Sequence, residues 1–241
     1  MAKRDRRGAT SRQQRIAQTL AAQRRAEQRR RRLILMGTAL ALIAVVSAVT
    51  LAVVHQGGKA AAASSSELGP EGIALPAGPS LAPVSSAATG ATVDGIQCDA
   101  SEQVGYHIHA HLAVYVNGGS RQIPYGIGVA TPAVNQTPQG PFAQATRCYY
   151  WLHTHASDGV IHVESPTQRQ YTLGDFFDIW RQPLSATAVG PATGTVTASV
   201  NGVARSGDPR SIILSEHEDI QLDVGAPIVP PQPVDWSKSD L

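Results

Sequence analysis

"HIHAHLAVYV" (residues 107–116) alternates without a break. Ile108, Ala110, Leu112, Val114 and Val116 point one way; His107, His109, His111, Ala113 and Tyr115 point the other. A period of two predicts a β-strand with one buried face. "NGG" and then "RQIPYGIGV" follow, so the strand turns back as a hairpin.

The same logic governs "YWLHTH" and "VIHVE", which flank "ASDG" (156–159) as a four-residue loop. That register sets His153 opposite His162, Trp151 opposite Glu164 and His155 opposite Val160. One face then carries Trp151, His153, His155, His162 and Glu164; the other carries Leu152, Thr154, Ile161 and Val163. Both segments place histidine opposite their apolar stripe, and together they hold six of the chain's eight histidines. A solvated sheet face normally shows Lys, Glu, Thr and Ser. Cross-strand Cβ atoms lie about 4.5–5.5 Å apart, and alternate residues of a strand about 6.6 Å apart. Imidazoles at such spacings can converge on a cation bound at about 2.0–2.1 Å.

His107, His109, His111, His153, His155 and His162 are therefore the expected metal ligands. Asp158 and Glu164 are expected as further ligands or as partners that orient an imidazole. Imidazole with carboxylate suits Zn²⁺ or Cu²⁺ first, then Ni²⁺ or Fe²⁺. Met1 and Met36 are the only methionines, which argues against a thioether-based Cu(I) carrier.

The flanks say where this domain sits. Residues 1–32 hold twelve basic residues against Asp5 and Glu27, a net +10. The whole chain is +2, so the remainder sums to −8. "LILMGTALALIAVVSAVTLAVV" (33–54) is uncharged, and 22 residues of helix would span about 33 Å, enough for a bilayer core. With arginine on one flank, the N-terminus is expected in the cytoplasm and everything after residue 55 outside it. A cleaved signal peptide is the competing reading; the long basic region and long apolar run argue against it. The basic segment contains no aromatic residue and abuts the anchor, so anionic lipid headgroups, not nucleic acid, are its expected partner.

Residues 55–94 are rich in Ala, Ser, Gly and Pro and read as a flexible linker; 230–241 read as a disordered tail. Residues 95–229 form one domain. Cys98 and Cys148 are the only cysteines, and outside the cytoplasm a disulfide between them is expected. It would tether both histidine segments near one point. "YTLGDFFDIW" reads as a short helix with Thr172 as N-cap, Asp175 in the first turn and one apolar face of Leu173, Phe176, Phe177 and Trp180, ended by Pro183. "AVYVNG" and "TASVNG" end two strands with one turn type. His217, between two glutamates, reads as a turn residue and His55 as linker. The expected architecture is α+β, with a mainly antiparallel sheet of about seven strands and one short helix.

Short motifs resemble several metalloenzymes without matching them. "LHTHASDGV" resembles the opening of the polymerase-and-histidinol-phosphatase class, but a strand follows where that class needs a helix. The metallo-β-lactamase and cupin patterns fail on the placement of the acid. "YHIHAHLAVYVNG", "CYYWLHTHASDGVIHVESP" and "YTLGDFFDIW" are similar to an uncharacterised family of exported, membrane-anchored bacterial His-rich domain proteins, over about residues 95–225. The resemblance implies a basic N-terminal region, a single anchor and this domain, and no activity.

Three functions follow as expectations. The first is a membrane-anchored extracytoplasmic metal-binding protein that captures, senses or delivers the ion. The second is a zinc-dependent hydrolase with a three-histidine site and Glu164 as general base. The third is a metal-free interaction domain whose histidines respond to pH.

Overall fold

The computed structural model describes residues 67–84 and 88–241. The basic segment 1–32, the apolar run 33–54 and most of the expected linker lie outside them. Among the described residues no helix is long and apolar enough to cross a membrane.

The elements in chain order are β1 (Cys98–Asp99), β2 (Tyr106–Val116), β3 (Gly119–Arg121), β4 (Val129–Thr137), β5 (Gly140–Tyr150), β6 (Leu152–His153) and β7 (Val160–Ser165). Then come α1 (Leu173–Trp180), β8 (Leu184–Ser185), β9 (Ala188–Val189), β10 (Ala192–Thr193), β11 (Val196–Val200), β12 (Val203–Arg205) and β13 (Glu218–Val224). The main sheet runs β12-β11-β13-β2-β7-β6, with β3 on β2 as its seventh strand. β1-β5-β4 and β8-β9-β10 form two small sheets of their own. The α+β class stands, but the main sheet is mixed: β13 runs parallel to β2, Ile220 beside Leu112 and Leu222 beside Val114.

The alternation of β2 decides which way the sheet faces. Ile108, Ala110, Leu112 and Val114 enter the core with Leu152, Ile161, Val163, Ile220 and Leu222. α1 covers that face with Leu173, Phe176, Phe177 and Trp180, each at most 1% exposed. Thr172 caps α1 as expected: its hydroxyl accepts from the Asp175 N–H, and the Asp175 carboxylate accepts from the Thr172 N–H. The helix ends earlier than Pro183 implied, because Arg181 adopts a left-handed cap (φ 55°). Both Asn-Gly turns have positive φ at both residues, 51° and 76° at Asn117–Gly118 and 50° and 76° at Asn201–Gly202. This is the backbone that closes two-residue hairpins.

The expected boundaries need correction at both ends. Within the segment read as linker, Ile73, Leu81 and Ala82 are buried, and Glu71 is 9% exposed. The tail is packed as well. The Val234 N–H and the Trp236 indole both donate to Asp219, and the Gln232 N–H donates to Gln221. Scattered apolar residues (Ile73, Leu81) anchor an otherwise Pro/Gly-rich coil, while on β13 the polar side chains serve the tail's backbone in place of water. The two coils meet: a Cβ on Gly72 (φ 77°) would lie 2.2 Å from the Lys238 carbonyl oxygen.

Candidate metal centre

β7 lies between β2 and β6, and this order builds the site. His109 on β2 pairs with His162 on β7, which pairs with His153 on β6. One residue pair along, His107 stands opposite Glu164. Three strands about 4.8 Å apart therefore set a row of imidazoles on the face turned away from the core. His153 opposite His162 is the register read from the sequence.

The expected pairing of His155 with Val160 does not form. β6 stops at His153, and Val160 pairs with His111 instead. The chain after His153 turns to the β4–β5 side. Thr154 donates its N–H to the Ile127 carbonyl and its hydroxyl to Pro124, and the His155 carbonyl accepts from the Ala143 N–H. The loop from Thr154 to Gly159 is thus longer than "ASDG". His155 still reaches the centre, stacked on Phe142 with ring centroids 4.7 Å apart.

Among the described residues three groups of donors lie within 4.8 Å of one another: His107, His109, His162 and Glu164; His153, His155 and His162; and Glu102, His153 and Glu164. Five of the six expected histidines belong to them. His111 does not. Its Nε2 lies 2.8 Å from the Asp158 carbonyl oxygen, under a backbone so close that a Cβ on Gly159 would meet Nε2 at 2.9 Å. The pleat is right, but His107 to His111 spans about 13 Å of strand, too far for one ion. Asp158 is also outside the donor groups: Oδ1 accepts from the Val160 N–H, and burial with the neighbouring Glu71 charge pushes its carboxyl well up.

Two residues join that the sequence reading passed over. Glu71 comes from the supposed linker, and its Oε1 lies 2.6 Å from His162 Nε2. Glu102, in the loop before β2, lies 3.4 Å from His155 Nε2. Ile73 and Leu81 were the available signal that residues near Glu71 fold onto the domain.

The tautomers are fixed from behind. His153 Nδ1 lies 2.9 Å from the Tyr150 carbonyl oxygen, and His155 Nδ1 2.7 Å from that of Ala143. A carbonyl only accepts, so each Nδ1 carries hydrogen and each Nε2 is left to face the other, 3.1 Å away. Two lone pairs at that distance repel unless a cation, a proton or a metal ion, lies with them. His107 Nε2 and His109 Nε2 also lie close, 3.0 Å apart. Nitrogens around a tetrahedral ion with bonds near 2.05 Å stand about 3.3 Å apart.

Burial holds His153 and His109 neutral, His153 well below the usual imidazole range and His109 down to about 3, with neighbouring imidazoles adding to the effect. His162 behaves oppositely. Burial disfavours its charge, but the Glu71 and Glu164 carboxylates outweigh burial and push it up to about 10. Glu164 places Oε1 3.2 Å from His107 and 3.4 Å from His162, and Oε2 3.9 Å from His153. It stands among the donors, where a ligand would be. Glu71 stands one step behind, gripping an imidazole nitrogen.

The centre opens into a cavity of about 650 Å³, lined also by Gly69–Gly72 and by Lys238 and Leu241 of the tail that meets them. Replacing Glu71 with Gln is expected to weaken metal binding roughly 10–100-fold, the usual cost of losing such an orienting carboxylate. Competition against a chromogenic chelator measures it; unchanged affinity would remove Glu71 from the site. Cys98 and Cys148 form the expected disulfide, joining β1 to β5 beside the centre.

No family model matches the chain, and no curated protein or solved structure was found to be similar to it.

Proposed function

We propose that this protein binds a divalent transition metal, zinc or copper, outside the cytoplasm, held to the membrane by residues 33–54, and that it captures, senses or delivers the ion. The carrying observation is the His153–His155 pair. Two buried imidazoles, each locked by a backbone carbonyl, aim their free nitrogens at one another 3.1 Å apart. A protein that used these histidines only for packing would satisfy those nitrogens with protein donors. His109, His162 and Glu164 converge from the neighbouring strands. All-nitrogen and carboxylate donors without sulfur favour Zn²⁺ or Cu²⁺.

One observation favours a hydrolase as the second reading: the donors line a cavity large enough for a small substrate. In that reading Glu164 is a ligand, and a general base would have to come from Glu102 or Glu71. The anchor and the basic N-terminal segment, with its attraction to anionic headgroups, remain part of the proposal on sequence grounds.

The test is thermal unfolding of the full chain in detergent, first in chelator and then with Zn²⁺ or Cu²⁺ at 100 times the dissociation constant. Ligand linkage gives about 2.7 kcal/mol there, which is on the order of 5–10 °C for a domain of this size. No shift with zinc, copper, nickel or iron(II) would contradict the proposal.

A further inference from the structure

The donors are too many and too divided for one ion. The two close nitrogen pairs come from different places: His107–His109 from β2, and His153–His155 from the end of β6 and the loop after it. None of the three groups of mutually close donors contains a member of both pairs. No set of mutually close donors therefore joins the two pairs. Between them stands Glu164, whose two oxygens face opposite ways: Oε1 toward His107 and His162, Oε2 toward His153. Oε2 is buried without a hydrogen-bond partner. A buried carboxylate oxygen left unpaired is costly unless a cation meets it.

We infer that the centre holds two divalent cations bridged by the Glu164 carboxylate. This rests on the metal-binding reading above and extends it. One ion takes His107, His109, His162 and Glu164 Oε1. The other takes His153, Glu164 Oε2 and Glu102, which lie mutually close, with His155, 3.1 Å from His153 and 3.4 Å from Glu102, as the fourth donor. Carboxylate-bridged ions of this kind sit about 3.5–4 Å apart. Their mutual repulsion is offset by Glu164, Glu102 and Glu71, three carboxylates in or behind the donor set. A single-ion site would have no use for the second nitrogen pair, nor for a carboxylate that faces both.

The experiment loads the full chain in detergent with Cu²⁺ and removes excess ion by gel filtration. Copper per chain is counted by plasma mass spectrometry, and the sample is read by electron paramagnetic resonance. The inference expects two ions per chain and a spin-coupled pair, seen as a loss of the ordinary Cu²⁺ intensity and a half-field line. His109→Ala and His155→Ala should each retain one ion and regain the ordinary uncoupled signal. One ion in the unaltered chain overturns the two-ion inference and leaves the metal-binding proposal intact. Two ions with an undiminished, uncoupled signal overturn the Glu164 bridge. No ion overturns both readings. The coupling in the unaltered chain stands as a test even if a variant fails to fold.

Discussion

His153→Ala is expected to remove the nitrogen donor at the β6 end of the row and to release the ion that the proposal places at the His153–His155 pair. The imidazole is 0% exposed and contributes the nitrogen closest to His155. Partners one step outside a metal cost roughly 10–100-fold when removed; a ligand costs more, so the affinity at this pair is expected to fall by more than 100-fold. Isothermal titration with Zn²⁺ reads it. The matching control is His111→Ala. It removes another buried imidazole, on β2, that lies outside every donor group. It should lower stability by about 1–3 kcal/mol, since the Asp158 carbonyl loses its partner, and leave metal affinity within a few-fold. Equal losses in both variants would mean that metal binding only reports folding.

Replacing Cys98 and Cys148 together with Ser is expected to cost about 4 kcal/mol. The bridge closes a loop of 50 residues, and the chain-entropy estimate for a loop of that length is about 4 kcal/mol. With a urea slope of about 2 kcal/mol/M, the unfolding midpoint should fall by about 2 M. The effect reaches the site. β1 precedes the loop that carries Glu102, and β5 carries Phe142, which stacks on His155. Reduced protein should bind metal more weakly even where it remains folded. A midpoint unmoved by the double substitution would show that the small β1-β5-β4 sheet holds without its staple.

How much of this was legible in the sequence depends on whether the signal was local. The faces of β2 and β7 follow from alternation, because a period of two leaves no choice about which side packs. The α1 cap and the Asn-Gly turns are equally local, each resting on residues within three positions of one another. The direct pairing of β2 with β7, and the parallel pairing of β2 with β13, are not local. Periodicity says that a strand has a buried face; it does not say which strand lies beside it. So His109, His162 and His153 were each expected as ligands, while their alignment in one row was not. His111 failed for a related reason: alternation assigns a face, but a face is longer than a coordination sphere. Glu71 escaped because a coil rich in Pro and Gly has no period to read. It is held by a few apolar contacts and by the meeting of Gly72 with the backbone at Lys238. The same geometry limits what can be dissected: a fragment begun at residue 90 would lack Glu71 and one wall of the cavity.

The most direct test is metal content. The full chain, without a histidine tag, is secreted or inserted through an oxidising compartment, purified in detergent and assayed by plasma mass spectrometry. It is compared with a variant carrying His109→Ala and His153→Ala, one imidazole from each close pair. Near-stoichiometric zinc or copper in the unaltered chain, and its loss in the folded double variant, is the predicted result. A chain that stays metal-free after exposure to zinc, copper, nickel and iron(II), or a double variant that keeps its full complement, would contradict the central claim.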